Sequence, residues 1–497
     1  MTQSKPRSPR RGDIPLAAIR LARRRWLAVT VAAVAASCLQ PGRSRTITAS
    51  EPALLERITR VKSVLEVQGQ VLLKDSRNQA SDGRKPAPIE AKSTLEYEES
   101  FRLSDSRSGV GCSLQQFSVA DLEDQIDKHT TKVSLREECR AIVKRVGQDG
   151  WVTACLDHPM TATERDLVEG PVATMFLDYL LPASRVDIGD RWELPPEITA
   201  KIFNLESVER GSLMVTLIDS DSQHGQLDVQ GSIQAEVRGV KTQLRVTGKA
   251  QIDRQQNLLS WLAVLLEEER DVGEAEPGFK IQARLRIRRE EIPRLSSGES
   301  LQSLLTQIEE LDPKAQWLQF DSKAGAYRFV ADRRWKTILD NGIDSTLKLV
   351  ENNRTLAYCT ITNLADMEPG RQLSMEGYQN DIQKTLGKRF GQFLEADERL
   401  SQTGLRMMRI VTLGSVEGVP VQWIHILLSN DGGRHLSLAY TMNQTSAEEF
   451  GTQEMQMAGS LEFTLRQLPT APAEEKGKAI PQAETASSGA PADSTNK

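Results

Sequence analysis

Three stretches in the middle of the chain alternate apolar and polar positions without a break. In the first, Leu227, Val229, Gly231, Ile233, Ala235 and Val237 alternate with Asp228, Gln230, Ser232, Gln234 and Glu236. In the second, Leu244, Val246, Gly248, Ala250 and Ile252 alternate with Gln243, Arg245, Thr247, Lys249 and Gln251. In the third, Ile281, Ala283, Leu285 and Ile287 alternate with Gln282, Arg284, Arg286 and Arg288. A strict period of two predicts an antiparallel sheet with one buried and one wet face. Leu258 to Leu266 is apolar on both parities, and its length and place in the meander predict a central strand. Glu267, Glu268 and Glu269 end that run and are expected to face the arginine row across the sheet.

Upstream, Ser63 to Lys74 reads as a strand bent at Gly69, and Ser93 to Leu103 as a half-buried strand. The polar residues 75–92 between them read as a hairpin loop. Leu135 to Val146 and Trp151 to Cys155 form the next expected pair, turning at Gly147-Gln-Asp-Gly150. Ala53 to Val61 suggests a short helix, and Asp166 to Leu181 a longer one stopped by Pro182. Residues 51–292 therefore read as one β-rich domain, a curved antiparallel meander with helices on one face.

Ser296 and Glu299 have capping-box spacing before Leu301, Leu304, Leu305, Ile308 and Leu311, predicting a linker helix over 296–312. A second domain follows over 315–467. Its expected strands hold Tyr327 to Phe329, Ser345 to Val350, Arg354 to Thr362, Leu405 to Leu413, Val421 to Leu428 and Leu436 to Met442. One helix is expected after Ser374, and a second after Thr445 and Glu448, another capping-box spacing. The order β-β-β-α-β-β-β-α implies an α+β sandwich, and α+β is the expected class for the whole chain. Residues 468–497, rich in Ala, Pro, Glu and Ser, have the composition of a disordered tail.

Charge changes the picture at the N-terminus. The net charge is −5, yet residues 1–45 hold ten Lys/Arg against Asp13 alone, a local +9 that leaves −14 on the rest. An acidic body argues against nucleic acid as a partner. The basic residues Arg20 to Arg25 precede the apolar run Trp26 to Ala36, then Ser37 and Cys38. That sequence is the pattern of a secretory signal, too short to span a bilayer, and residues 1–49 are read as a signal segment. Ala35-Ala-Ser-Cys38 fits a permissive lipoprotein box that would lipidate Cys38 and tether the chain to a membrane. Cleavage near Ala35 to Ser37, or after Ala49, is the alternative. Ala22-Arg-Arg-Arg-Trp-Leu27 also resembles a twin-arginine signal, which a generic basic segment explains more simply. The expected location is periplasmic, cell-envelope or extracellular.

Candidate chemistry is sparse. His129, His158, His224, His425 and His435 have no metal-ligand spacing, although His425 and His435 fall on adjacent expected strands. Asp219-Ser-Asp221 with Gln223 and Gly225 is a partial calcium loop lacking its closing Glu, which a turn explains. No nucleophile elbow, P-loop or dinucleotide fingerprint occurs. No catalytic, cofactor or metal residue is assigned, and Cys38 is the single candidate modification site. Cys112, Cys139, Cys155 and Cys359 can pair in three ways. Parity across the expected hairpin does not favour a Cys139–Cys155 bridge, and Cys359 reads as a buried thiol. Trp192, Trp261, Trp335 and Trp423 read as core residues, and Asn353-Arg-Thr355 and Asn443-Gln-Thr445 match glycosylation sequons.

Tyr327-Arg-Phe329, Asp332-Arg-Arg-Trp335 and Gly418-Val-Pro-Val-Gln-Trp423 resemble the opening and later strands of PsbP-like α/β modules, with Asp332 at the usual proline. The resemblance spans about 315–465 and implies a noncatalytic accessory or binding domain associated with membranes or envelopes. The first domain, through Leu180-Leu-Pro182 and Ile188-Gly-Asp-Arg-Trp192, resembles uncharacterised secreted bacterial meander proteins. In outline it is similar to curved-sheet lipoprotein carriers. Neither resemblance transfers a functional residue. The expected function is a noncatalytic exported protein that binds a protein or apolar ligand. A hydrolase assembled from distant loops and a structural envelope component are the alternatives.

Overall fold

The computed structural model describes residues 55–74, 84–103, 111–147, 150–182, 184–237, 239–274, 276–303 and 316–465. The expected signal segment with Cys38, most of the expected linker helix and the expected tail lie outside these residues.

Residues 55–291 build one twelve-stranded antiparallel sheet. Its strands are β1 (Leu55–Lys74), β2 (Arg84–Leu103), β3 (Gly111–Ile126), β4 (His129–Ser134), β5 (Ala141–Gly147) and β6 (Gly150–Cys155). They continue with β7 (Arg191–Glu193), β8 (Ser207–Ser220), β9 (His224–Val237), β10 (Val240–Asp253), β11 (Leu258–Arg270) and β12 (Gly278–Glu291). The order is β6-β5-β3-β2-β1-β12-β11-β10-β9-β8-β7, with β4 beside β3. The long first and last strands meet in register, Leu65 opposite Leu285, so a single ladder joins the two halves of the unit.

Alternation decides which face is inner. Leu244, Val246, Ala250 and Ile252 on β10 are buried, as are Phe279, Ile281, Ala283, Leu285 and Ile287 on β12. Register shifts at Glu96/Tyr97, Val208/Arg210, Leu217/Asp219 and Gln251/Ile252 add bulges, which bend strands and increase twist. At one of them Gly211 has φ 85°, and a Cβ there would collide with the Ser232 carbonyl.

The inner face is covered by short helices. α1 (Ala162–Glu169) opens on a full capping box between Thr161 and Glu164. A 3-10 helix, Thr174–Leu180, follows, then α2 (Pro196–Ile202). Leu167, Met175, Phe176, Leu177, Leu180 and Ile198 share one core cluster with the strands.

The second unit contains β13 (Leu318–Ser322), β14 (Tyr327–Ala331), β15 (Trp335–Asp340), β16 (Asp344–Glu351) and β17 (Arg354–Asn363). After α3 (Met375–Leu386) come β18 (Phe390–Leu400), β19 (Arg406–Val416), β20 (Val419–Ser429) and β21 (His435–Asn443). The short α4 (Ala447–Phe450), α5 (Gln453–Gly459) and β22 (Glu462–Phe463) close it. A seven-stranded sheet runs β15-β16-β17-β21-β20-β19-β18, and β13-β14-β22 form a small second sheet. α3 packs Tyr378, Ile382 and Leu386 on one face with Trp423 and Leu427. Trp335, Tyr440, Phe450 and Met457 share the core of the other.

The α+β class is corrected by this architecture: the chain is predominantly antiparallel β, with few and mostly short helices. The expected helix over Asp166–Leu181 breaks at Gly170, φ 50°, and Pro171, giving one short α-helix and a 3-10 segment. Ala53–Val61 is not helical from Leu55 onward; it is strand, because β12 supplies a ladder from Thr59 on and Thr59, Val61 and Ser63 are buried at period two. Neither expected capping box at the later helices forms. The Ser296 hydroxyl and amide donate to Glu98, and Thr445 donates to Asn443. The expected second-unit sandwich becomes a β-dominated unit, with β18 an additional edge strand.

Candidate functional site

The helix-covered side of the first sheet holds an apolar cleft of about 650 Å³, the open solvent at its mouth included. Its walls are Leu65 of β1, Val237 of β9, Leu244 of β10, Leu266 of β11, and Ile281 and Ala283 of β12. Gly170, Pro171, Phe203, Asn204 and Leu205 form the rim, between the helices that cover the sheet. The helix break at Gly170-Pro171 therefore leaves an opening in that cover. Asn204, φ 53°, ties the rim together by donating to the carbonyls of Glu169 at 2.9 Å and Gly170 at 3.0 Å.

Three charged residues line the cleft, Asp166, Glu268 and Arg270, and the last two pair with each other. Arg270 donates to Thr242 Oγ1 at 3.1 Å, pairs with Glu268 and lies over the Phe279 ring at 5.0 Å. Apart from Asp166 and Asn204 the remaining lining is apolar, which favours an apolar occupant.

A second, much narrower space shares Leu65, Gly170 and Pro171 with the first. Leu95, Leu285 and Ile287 line it, together with Tyr97, Thr174 and Lys144. Tyr97 and Thr174 belong to a hydrogen-bonded chain that ends on Glu99 and Gln115. The buried Glu99 carboxylate accepts from Gln115 Nε2 and from Thr174 Oγ1, both at 2.7 Å. Because Thr174 spends its proton on Glu99, the Tyr97 hydroxyl donates to Thr174 at 2.9 Å. Burial pushes the Tyr97 phenol up. Lys144 Nζ donates to the Val168 carbonyl at 2.7 Å; burial pulls its pKa down, while Glu99 and Glu169 oppose that shift. These hydrogen bonds hold Tyr97, Thr174, Glu99 and the Gln115 amide nitrogen in one arrangement.

The structure disperses the sequence candidates. Opposite His425 stand Ile410 and Ala439, whereas His435 pairs with Ser429, so the two histidines are four ladder positions apart. His435 Nδ1 is 2.7 Å from the Gly433 carbonyl. His129 pairs with Ile126 at the start of β4, and His158 is exposed after β6. Asp221 Oδ1 accepts from the amides of Gln223 and His224 at 2.6 and 2.7 Å, which is the geometry of a turn. No His/Cys/Asp/Glu cluster with metal-holding geometry occurs among the described residues. No described helix is long and apolar enough to cross a membrane.

Trp335 and Trp423 are buried, but Trp192 and Trp261 are only half-buried, because Trp261 points to the outer face of β11. The triple glutamate meets other partners than the arginine row. Glu267 pairs with Arg245 at 3.2 Å and Glu269 with Lys280, while Arg286 reaches Glu66 at 3.5 Å. Asn353 of the first sequon is held by its side chain, which accepts from the Glu274 amide at 2.7 Å.

The signal missed in the sequence was the Gly170-Pro171 break, read as the interior of one helix. The alternating wall residues Leu244, Ile281 and Ala283 were legible.

No family model matches the chain, and comparison with curated proteins gives no match. Among solved structures, a Bacteroides thetaiotaomicron protein aligns at 9% identity and TM-score 0.23, covering 30% of this chain and 49% of that one. The chain thus spans about half the length of that structure. DynF from the dynemicin biosynthesis pathway of Micromonospora chersina aligns at 9% identity and TM-score 0.13, covering 51% and 87%. Pseudomonas aeruginosa OccK5 (OpdH) aligns at 9% identity and TM-score 0.12, covering 77% and 96%.

Proposed function

We propose that this chain is an exported, noncatalytic binding protein of the cell envelope whose ligand is apolar and sits in the cleft on the helix-covered side of the first sheet. The observation that carries the reading is the aliphatic cleft between Leu65, Leu244, Leu266, Ile281 and Ala283, open beside Gly170-Pro171. Its wall is mainly apolar, and Arg270 and Glu268 beside it are already paired. The dispersal of the histidines and the noncatalytic habit implied by the PsbP-like resemblance are in keeping with binding. The basic-apolar segment ending at Cys38 supports export.

Titration with cis-parinaric acid, a fluorescent fatty acid, tests the ligand class. Saturable binding by the wild type that is lost in Ala283→Phe supports the proposal; absence of binding, or equal binding by both, contradicts it. Intact-mass measurement on protein from its native host tests export. The expected product lacks the residues before Ser50 or carries a lipid on Cys38, and an unmodified full-length cytoplasmic product would contradict that part.

A further inference from the structure

Parity along a hairpin assumes that Cys139 and Cys155 belong to the same ladder. The structure takes Cys139 out of it. β5 begins only at Ala141, and Cys139 ends a 3-10 turn, Glu137–Cys139. The ladder partner of Cys155 is Ile142. The turn folds over the end of β6, so that Cys155 Sγ lies 3.3 Å from the Glu138 carbonyl, whose peptide bond leads into Cys139. The two thiols are near enough for each to be the main influence on the other's ionisation. Cys359 sits in the other unit's core, and Cys112 faces Arg102 and Arg145 across its ladders.

We propose that Cys139 and Cys155 are a disulfide-forming pair, oxidised to a cystine when the chain meets a disulfide donor outside the cytoplasm. The timing rests on the export reading; the pairing does not. The pair's surroundings suit the reaction. Arg136 Nη2 is 3.7 Å from Cys139 Sγ, placing a cation beside the pair. The neighbouring Cys139 thiol holds the Cys155 thiol below the usual thiol range, and Cys155 together with burial pushes Cys139 up. Cys155, 7% exposed against 0% for Cys139, is also the side that a donor reaches first.

In the first step the Cys155 thiolate attacks a sulfur of the donor disulfide, forming a mixed disulfide and releasing one donor thiolate. Cys139 then loses its proton and attacks Cys155 Sγ, expelling the second donor thiolate. The two protons from the cysteines go to the released donor thiolates; the cysteines are oxidised by two electrons and the donor is reduced by two. The bridge would brace the cleft cover. Arg136, the residue before the turn, donates to Glu164 Oε1 at 2.6 Å, and Glu164 completes with Thr161 the capping box of α1, which ends at the rim glycine Gly170.

The test is a non-reducing peptide map of the full chain, fully reduced, equilibrated with oxidised glutathione and alkylated in denaturant. One cross-linked pair joining the Cys139 and Cys155 peptides, two hydrogens lighter than their sum, is expected, with Cys112 and Cys359 alkylated. Alkylated Cys139 and Cys155, or a link to Cys112 or Cys359, would overturn the pairing. The oxidised wild type should also unfold at higher denaturant than Cys139→Ser/Cys155→Ser; equal midpoints would overturn the bracing role. The same map on protein from its native host separates the two readings: free thiols there, with the cross-link formed in glutathione, would overturn the timing alone.

Discussion

Arg289 of β12 and Asp178 of the 3-10 helix meet in a two-pronged ion pair inside the first unit, Nη1 to Oδ1 at 2.9 Å and Nη2 to Oδ2 at 3.1 Å. The Arg289 side chain has no exposure, and Asp178 Oδ1 also accepts from the Leu259 amide of β11 at 2.9 Å. One carboxylate thus ties the helical cover to two central strands. Removing one member of a buried pair leaves the other charge desolvated and unpaired, which costs about 3–5 kcal/mol. Asp178→Ala should lower the unfolding free energy by about that amount in urea denaturation. Asp178→Leu combined with Arg289→Met should recover most of it, since Arg57, 3.8 Å from Asp178, keeps Glu291 and the carbonyls of Gln256 and Asn257 as partners.

His425 gives the second unit a pH dependence. It shares the α3-side face of β20 with Trp423 and Leu427, its Nε2 is buried without a hydrogen bond, and burial pulls its pKa down to about 4. The unfolded chain binds a proton below pH about 6.5, whereas the folded chain does so only near 4. Stability from this residue is complete above about 6.5, falls as the pH drops towards 4 and is flat below. The loss should be on the order of 2–3 kcal/mol over that window. His425→Leu should flatten that part of a stability-against-pH curve measured by denaturant titration.

The two units are joined at Glu274, between β11 and β12. Lys348 of β16 donates to Glu274 Oε2 at 2.6 Å and to its carbonyl at 3.0 Å, and Thr355 donates to the same carboxylate at 3.1 Å. Gly239, at the β9–β10 turn, lies against Asn353 so closely that a Cβ would crowd that backbone. Lys348→Met should retain the stem packing but lose these charge-assisted bonds, weakening the interface by about 1.5–3 kcal/mol. Denaturation followed by near-ultraviolet circular dichroism should then separate the transitions of the two units further than in the wild type.

The period-two strands β9, β10 and β12 were legible because one wet and one buried face imprint alternation on the residues themselves. The doubly apolar run of β11 was legible by its length. β18 was not, because it is an edge strand whose residues are mostly exposed, from Gln392 to Leu400, and so carry little apolar rhythm. The helix expected at Ala53–Val61 failed for a different reason. A few apolar residues fit both periods there, and the distant partner β12, more than two hundred residues away, made the choice. The cleft had a legible wall and an illegible rim, since Gly170-Pro171 breaks the cover only once α1 is capped at Thr161.

The most direct measurement of the central claim is mass spectrometry of organic extracts from the protein purified under native conditions from envelope fractions, beside Ala283→Phe. Ala283 is 6% exposed on the cleft wall, and a phenyl group there fills the space a ligand would take at a strain of about 1–3 kcal/mol. The account predicts an apolar molecule near one per wild-type chain and its loss from the variant, with the variant still folded by circular dichroism. A wild-type protein with no co-purifying apolar molecule and no saturable uptake of cis-parinaric acid would contradict it.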